Sequence, residues 1–245
     1  MKKNIHDCSP AEKAQLILDL FHRTTMHNAM WFAEAVHQYG REKAYELMHK
    51  AYTLSYSIQL KRLTSFFGGE TDENKLPTFL TQLEDEKKEG LLEALSINWL
   101  ANDGVWFQTV ESTLGMFEAK RCNDSAWANF SPFEAKSIKN LLQLDEHPGL
   151  EGLKSALNFR LYAFINKQSI VNETEHSFEF YMNECRVQTA RKRKGLEDYP
   201  CKSAGIIEYS SFAASIDSRI KTECIACPPD KHPDSFYCGW KFWLI

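Results

Sequence analysis

The stretch HSFEFYMNE, residues 176–184, decides the fold class, because Phe178, Phe180 and Met182 recur at every second position. That period marks a strand with one buried face. Toward the C-terminus, residues 185–194 are rich in Arg and Lys and suit a helix stopped by Gly195, and residues 204–216 fit a second helix. Residues 219–226 and 236–244 alternate again, the latter with Phe236, Cys238, Trp240, Phe242 and Leu244 on one face. Between them, Cys-Pro-Pro-Asp-Lys-His-Pro-Asp is turn chemistry. The C-terminal third therefore reads as a small antiparallel sheet with one or two helices across it.

The N-terminal two thirds follows the helical period. Ser9-Pro10-Ala11-Glu12 is a capping box with proline at the first helical position. Leu16, Ile17, Leu20 and Phe21 make one stripe behind it, and Met30, Trp31, Phe32, Ala35 and Val36 are expected to be buried before a stop at Gly40. A further helix from Arg41 ends at Gly68-Gly69, and the polar residues 70–77 make a connector. Ser131-Pro132-Phe133-Glu134 repeats the capping box and is expected to open a helix reaching about Leu144. Residues 150–165 carry Leu153, Leu157, Leu161 and Phe164 at helical spacing.

An internal repeat crosses the connector. At a constant offset of 75, Leu16 and Leu20 match Leu91 and Leu95, Trp31-Phe32 matches Trp106-Phe107, Gly40 matches Gly115, and Ala44 matches Ala119. Two like hairpins can bury each other's aromatic faces. The expected architecture is α+β: a helical region over 1–168, with repeats at about 12–63 and 87–142, and a cysteine-bearing α+β region over 169–245 packed with it as one unit.

Composition narrows the function classes. The 245 residues are 43% hydrophobic and 25% charged, with 29 basic against 33 acidic residues and a net charge of −4. These are globular values, and the charge balance argues against a dedicated nucleic-acid coat. No run approaches the roughly 18 apolar residues of a membrane span. Met1-Lys2-Lys3 precedes no apolar core of a signal peptide. The chain is thus expected to be cytoplasmic, where cysteines are more often free, catalytic or metal-bound than paired.

Five of the seven cysteines lie from position 185 onward: Cys185, Cys201, Cys224, Cys227 and Cys238. Cys224 and Cys227 form CxxC, the spacing that chelates one ion across a turn. A hairpin register pairing Ala226 with Phe236 would set Cys224 opposite Cys238, leaving Cys201, or Cys185 as alternate, to complete four ligands for zinc or an iron–sulfur cluster. The same thiols also read as small buried residues of an aromatic core. For nucleophilic chemistry Cys185 is the best-placed cysteine, at a helix N-terminus beside Arg186. Arg186 is a candidate for holding an anionic group, and the run 186–194 otherwise reads as a solvated face. Asp103, Glu111 and Asp124 flank Trp106-Phe107, where a carboxylate on the aromatic side is an acid–base candidate. Glu34/His37 and Glu46/His49 have di-iron spacing, but the repeat does not preserve it.

Cys185-Arg-Val-Gln-x-x-Arg191, Lys194-Gly-Leu, Pro200-Cys-Lys202, Ile216-Asp-x-Arg-Ile220, Cys224-x-x-Cys-Pro-Pro-Asp230 and Cys238-x-Trp-x-Phe242 form one pattern, with Asp103-Gly-x-Trp-Phe and Val110-Glu111 upstream. In this it resembles an uncharacterised prokaryotic family of cytosolic proteins of unknown function. A helical front end followed by a cysteine-bearing strand hairpin is also similar, more distantly, to the L-2-amino-thiazoline-4-carboxylic acid hydrolase-like family. The first resemblance implies that the cysteines belong together. The leading expectation is a small-ligand or metal-binding protein sited at Cys201, Cys224, Cys227 and Cys238. The alternatives are a hydrolase of a small anionic cyclic amide or thiazoline, using Cys185 or Glu111 with Arg186, and a helical interaction module that self-associates without metal.

Overall fold

Gly40 and Gly115 occupy matching places in two helical hairpins of equal dimensions. Helix α1 (Pro10–Tyr39) has 30 residues and α2 (Arg41–Phe66) has 26, separated by Gly40 alone. After a short helix α3 (Thr78–Thr81), the lengths recur in α4 (Asp85–Leu114) and α5 (Met116–Leu141), separated by Gly115 alone. The two glycines share a backbone conformation, φ 80° and ψ 165° against φ 95° and ψ 166°. Such positive φ is what glycine permits without steric cost. Ala44 and Ala119, four residues on, are both fully buried.

These features belong to a computed structural model that describes residues 5–245 except 68, 70, 74, 75, 194 and 196. The expected stop at Gly68, Lys194 and Leu196 of the C-terminal pattern, and Lys2-Lys3 lie outside the described residues. The chain divides into two compact units, residues 1–84 and 85–245. The division places the second hairpin in one unit with the sheet, so position 168 falls inside that unit. Among the described residues, no helix is long and apolar enough to cross a membrane.

In the first unit the Ser9–Glu12 capping box forms as expected. The apolar stripe behind it is more open than expected: Trp31 is 65% exposed, and Leu20, Phe21 and Met30 are exposed too. Two helices side by side bury only the seam between them, here around Ala44 and the Phe32–Tyr45 ring contact.

The second unit continues with α6 (Gly149–Leu157), β1 (Lys167–Val171), β2 (Ser177–Glu184), α7 (Arg186–Arg193), α8 (Lys202–Ile216), β3 (Ile220–Ala226) and β4 (Cys238–Leu244). The sheet is antiparallel in the order β1-β2-β4-β3, and the class is α+β. Phe178, Phe180 and Met182 of β2 share its buried face with Trp240 and Phe242 of β4, and α8 supplies Tyr209, Phe212, Ala213 and Ile216 to the same core. Each fully buried large apolar side chain contributes about 2–3 kcal/mol, so this face alone accounts for why the alternating stretches pair. The pattern around Ile216 to Ile220 is structural: buried Asp217 accepts from Arg219 Nη2 at 2.7 Å and from the Gly149 N–H at 3.0 Å. Those donors, Arg219 first, hold its carboxyl below the usual range.

Three expectations are corrected. The second capping box does not open a helix: α5 runs through Pro132, with Ser131, Ala135 and Ile138 buried. An interior proline costs roughly 3 kcal/mol, which the packing of this face against α8 offsets. The helix expected over 150–165 stops at Leu157, and a 3-10 turn follows at Leu161–Phe164. Between them Arg160 enters the core, only 2% exposed. Its Nε donates to Glu134 Oε2 at 2.9 Å and its Nη2 lies 2.7 Å from Glu208 Oε1. The rings of Phe212, Tyr209 and Tyr162 stand 4.6, 5.3 and 5.7 Å from its guanidinium. Glu134, read as a capping residue, is thus a buried counter-ion, and its second oxygen accepts from the Leu161 N–H at 3.0 Å. Finally, β4 begins at Cys238, and Phe236 stacks on Tyr181 at 4.2 Å. A Cβ on Gly239 would meet both of those rings, so Phe236 covers the face opposite Trp240. Strand β1, a five-residue edge, carries no alternation that the sequence reading picked up.

Burial pushes the Glu208 carboxyl up to about 7, against the pull of Arg160. A carboxyl whose folded value is raised favours folding while protonated, and that contribution is lost as pH rises from its unfolded value through the folded one. The stability of the native chain relative to Glu208→Gln should therefore fall between about pH 4 and about pH 7. Thermal or urea unfolding of both chains across that range measures it, and a pH-independent difference contradicts the assignment.

Candidate functional site

A cavity of about 530 Å³ lies within the second unit, walled by α4, α5, α7, α8 and the ends of the sheet. Its walls follow from helical spacing. On α4, Asp103, Phe107 and Glu111 recur at every fourth position and line it together. On α8, Cys201 at the N-cap, Gly205, Glu208 and Tyr209 present one face to it. Gly205 lets that helix lie directly on Trp240: a Cβ there would stand 2.7 Å from the indole Cζ2. Tyr209 stacks on the same indole at 4.7 Å.

The polar groups in this wall are unevenly satisfied. Trp240 is 1% exposed. Among the described residues, neither its indole N–H nor the Tyr199 hydroxyl finds a hydrogen-bond partner. Gln188 is fully used: its amide donates to Tyr199 O at 2.9 Å and accepts from Tyr199 N at 2.8 Å, which pins the loop leading to Cys201. Burial raises the Asp103 carboxyl and the Tyr162 hydroxyl.

Of the residues expected at a site, Cys185, Cys201, Cys227, Cys238, Glu111 and Arg186 all line this cavity, whereas Cys224 does not. The assumed register is corrected: Cys224 pairs with Trp240 and Ala226 with Gly239, with a bulge between the two β3 residues. Sulfur atoms meet instead at Cys227, whose Sγ stands 3.7 Å from that of Cys201. Hydrogen bonding to Cys201, then to Cys238, raises the Cys227 thiol. Cys201 is lowered, first by Cys227 and also by the Gln188 amide, whose nitrogen lies 3.5 Å away. Among the described residues, no group of three or more His, Cys, Asp or Glu side chains is arranged to hold a metal ion.

Cys185 stands directly before α7, as expected. Burial pushes its thiol up to about 12, outweighing the N–H groups of the helix that follows it, so it is a thiol at neutral pH and no ready nucleophile. Cys224 is likewise pushed up to about 11 by burial. Arg186 is exposed at the start of α7, with its N–H donating to Asn166 Oδ1 at 2.7 Å. His232 pairs with Asp198 at 3.0 Å. The Glu-x-x-His residues Glu34, His37, Glu46 and His49 are all exposed. Sequence reading did not single out Gln188, Glu208 and Trp240, which line the cavity, or Arg160, which stands behind Glu208. Glu208 had a readable signal, a single acid within the otherwise uncharged run Ala204 to Ile216.

No curated protein matches the sequence. Among solved structures, the phenol-responsive sensory domain of the transcription activator PoxR with phenol is similar at a TM-score of 0.40 and 13% identity, over 62% of this chain and 74% of that one. A likeness at that level carries no argument about this chain's fold or ligand. The family described as "Family of unknown function (DUF6125)" matches residues 81–244, which span the hairpin, the sheet and the cavity, and the chain belongs to that family.

Proposed function

We propose that residues 85–245 form a small-molecule-binding domain whose ligand occupies the cavity between α4, α8 and the sheet. The observation that carries this reading is the buried, unpartnered indole N–H of Trp240, a residue that lines a mostly apolar cavity of about 530 Å³. Sites for small organic ligands are concave, mostly apolar, of roughly 300–1,000 Å³, with a few convergent polar groups. A buried donor left without an acceptor costs about 1–3 kcal/mol, and a ligand acceptor would recover it. Thermal melting of the full chain against a panel of small aromatic and polar molecules tests the reading.

Gly104 provides the matched control. It lines the cavity from within α4, and a Cβ there meets nothing within 4 Å. Gly104→Leu should intrude into the space, weaken binding of the panel hits, and keep or raise stability, because leucine is favoured over glycine in a helix by about 0.8 kcal/mol. Hits that bind Gly104→Leu undiminished place the ligand elsewhere.

A second reading is favoured by the sulfur atoms. Two thiolates on one tetrahedral zinc, with Zn–S near 2.3 Å, lie about 3.8 Å apart, close to the 3.7 Å between Cys201 and Cys227. In this reading Cys201 and Cys227 supply two thiolates to a zinc or iron–sulfur centre, and Cys238, Cys224 or Cys185 would have to move to complete it, because no three ligands are already arranged for a metal among the described residues. Elemental analysis and visible absorbance of chain purified anaerobically without chelator should then show about one zinc, or an iron–sulfur band near 400 nm. Neither metal, with all thiols titrating as free, ends this reading and leaves the cavity untouched.

A further inference from the structure

The charges in and around the cavity are sorted by depth. Arg186 is exposed on α7. Arg191 lines the cavity with its Nε turned to a backbone carbonyl, donating to Glu197 O at 2.7 Å. Further in, the single guanidinium of Arg160 is shared between Glu134 and Glu208, two carboxyls against one cation. Asp103 adds a third carboxyl: it lines the cavity, and among the described residues it has no hydrogen bond or ion pair through its side chain. Five rings, Phe107, Tyr162, Tyr199, Tyr209 and Trp240, line the same cavity as Asp103 and Glu208, together with Glu111, Arg186 and Arg191.

An unpaired carboxylate among aromatic faces attracts positive charge twice over, by direct Coulomb attraction and through the negative faces of the rings. The unpartnered N–H of Trp240 is a separate observation and asks for an acceptor on the same ligand. We infer that the cavity is built for a small organic cation that also carries a hydrogen-bond acceptor, with Asp103 as its counter-charge and Trp240 as its donor. This rests on the reading of the cavity as a ligand site and adds the chemical class.

Three probes that share a phenyl ring and a benzylic hydroxyl separate charge from shape: 2-amino-1-phenylethanol, a cation; 1-phenyl-1,2-ethanediol, neutral; and mandelate, an anion. Isothermal titration calorimetry on the full chain should show the amine binding about tenfold tighter than the diol, with mandelate weakest. Asp103→Asn should weaken the amine by about tenfold and leave the diol nearly unchanged, while Asp103→Glu keeps most of the preference. Circular dichroism of both variants checks that the helix is intact. Equal binding of amine and diol, or preference for mandelate, overturns the inference while the ligand site stands. Binding by none of the three also overturns it, and the wider panel with Gly104→Leu then decides the site independently.

Discussion

A single buried guanidinium organises the second unit. Arg160 sits where a continuous helix would otherwise run, and its charge is tolerable there only because α5 supplies Glu134 and α8 supplies Glu208. Removing a charge from water costs several kcal/mol unless it is paired and hydrogen-bonded. The segment after α6, helix α5 and helix α8 are therefore tied at one point. Three rings pack around the guanidinium, so the cluster is embedded in aromatic core.

The cavity is a consequence of that arrangement. Glu208 belongs both to the charge cluster and to the cavity wall. One turn before it, Gly205 lets α8 rest on the Trp240 ring. Cys201 at the start of the same helix meets Cys227 from the end of β3, and Gln188 of α7 holds the loop that brings it there. Helix α8 thus reads as the central element: its apolar face completes the core, and its short or polar residues face the cavity.

Much of the fold was legible because periodicity is local. The alternation at Phe178, Phe180 and Met182, the α8 stretch and the glycine-separated hairpins are all written within a few neighbouring residues. The fold departs from that reading wherever a distant partner outweighs a local preference. Pro132 and Glu134 spell a helix start, yet packing against α8 and the Arg160 charge recruit them into a helix interior. Arg160 itself falls inside an apparent helical period that its ion pairs interrupt. For the site, four of the five cysteines clustered in the chain, Cys185, Cys201, Cys227 and Cys238, line one cavity. The register was not readable, because the bulge in β3 moves Cys224 opposite Trp240. Nor was thiol acidity: a helix start and a neighbouring arginine suggest a reactive Cys185, but burial reverses the sign and leaves Cys201, with its two sulfur-directed partners, as the lowered thiol.

Arg160 is shared between two buried carboxyls, and at Glu208, which also faces the cavity, burial outweighs the pull of that cation and pushes the carboxyl up to about 7. Carbon-13 NMR of the full chain, with glutamate side-chain carboxyls labelled, reads this directly. One resonance should titrate near pH 7 and vanish in Glu208→Gln. If every glutamate titrates in the ordinary range near 4.3, burial does not outweigh Arg160 at Glu208, and the raised carboxyl in the cavity wall is contradicted.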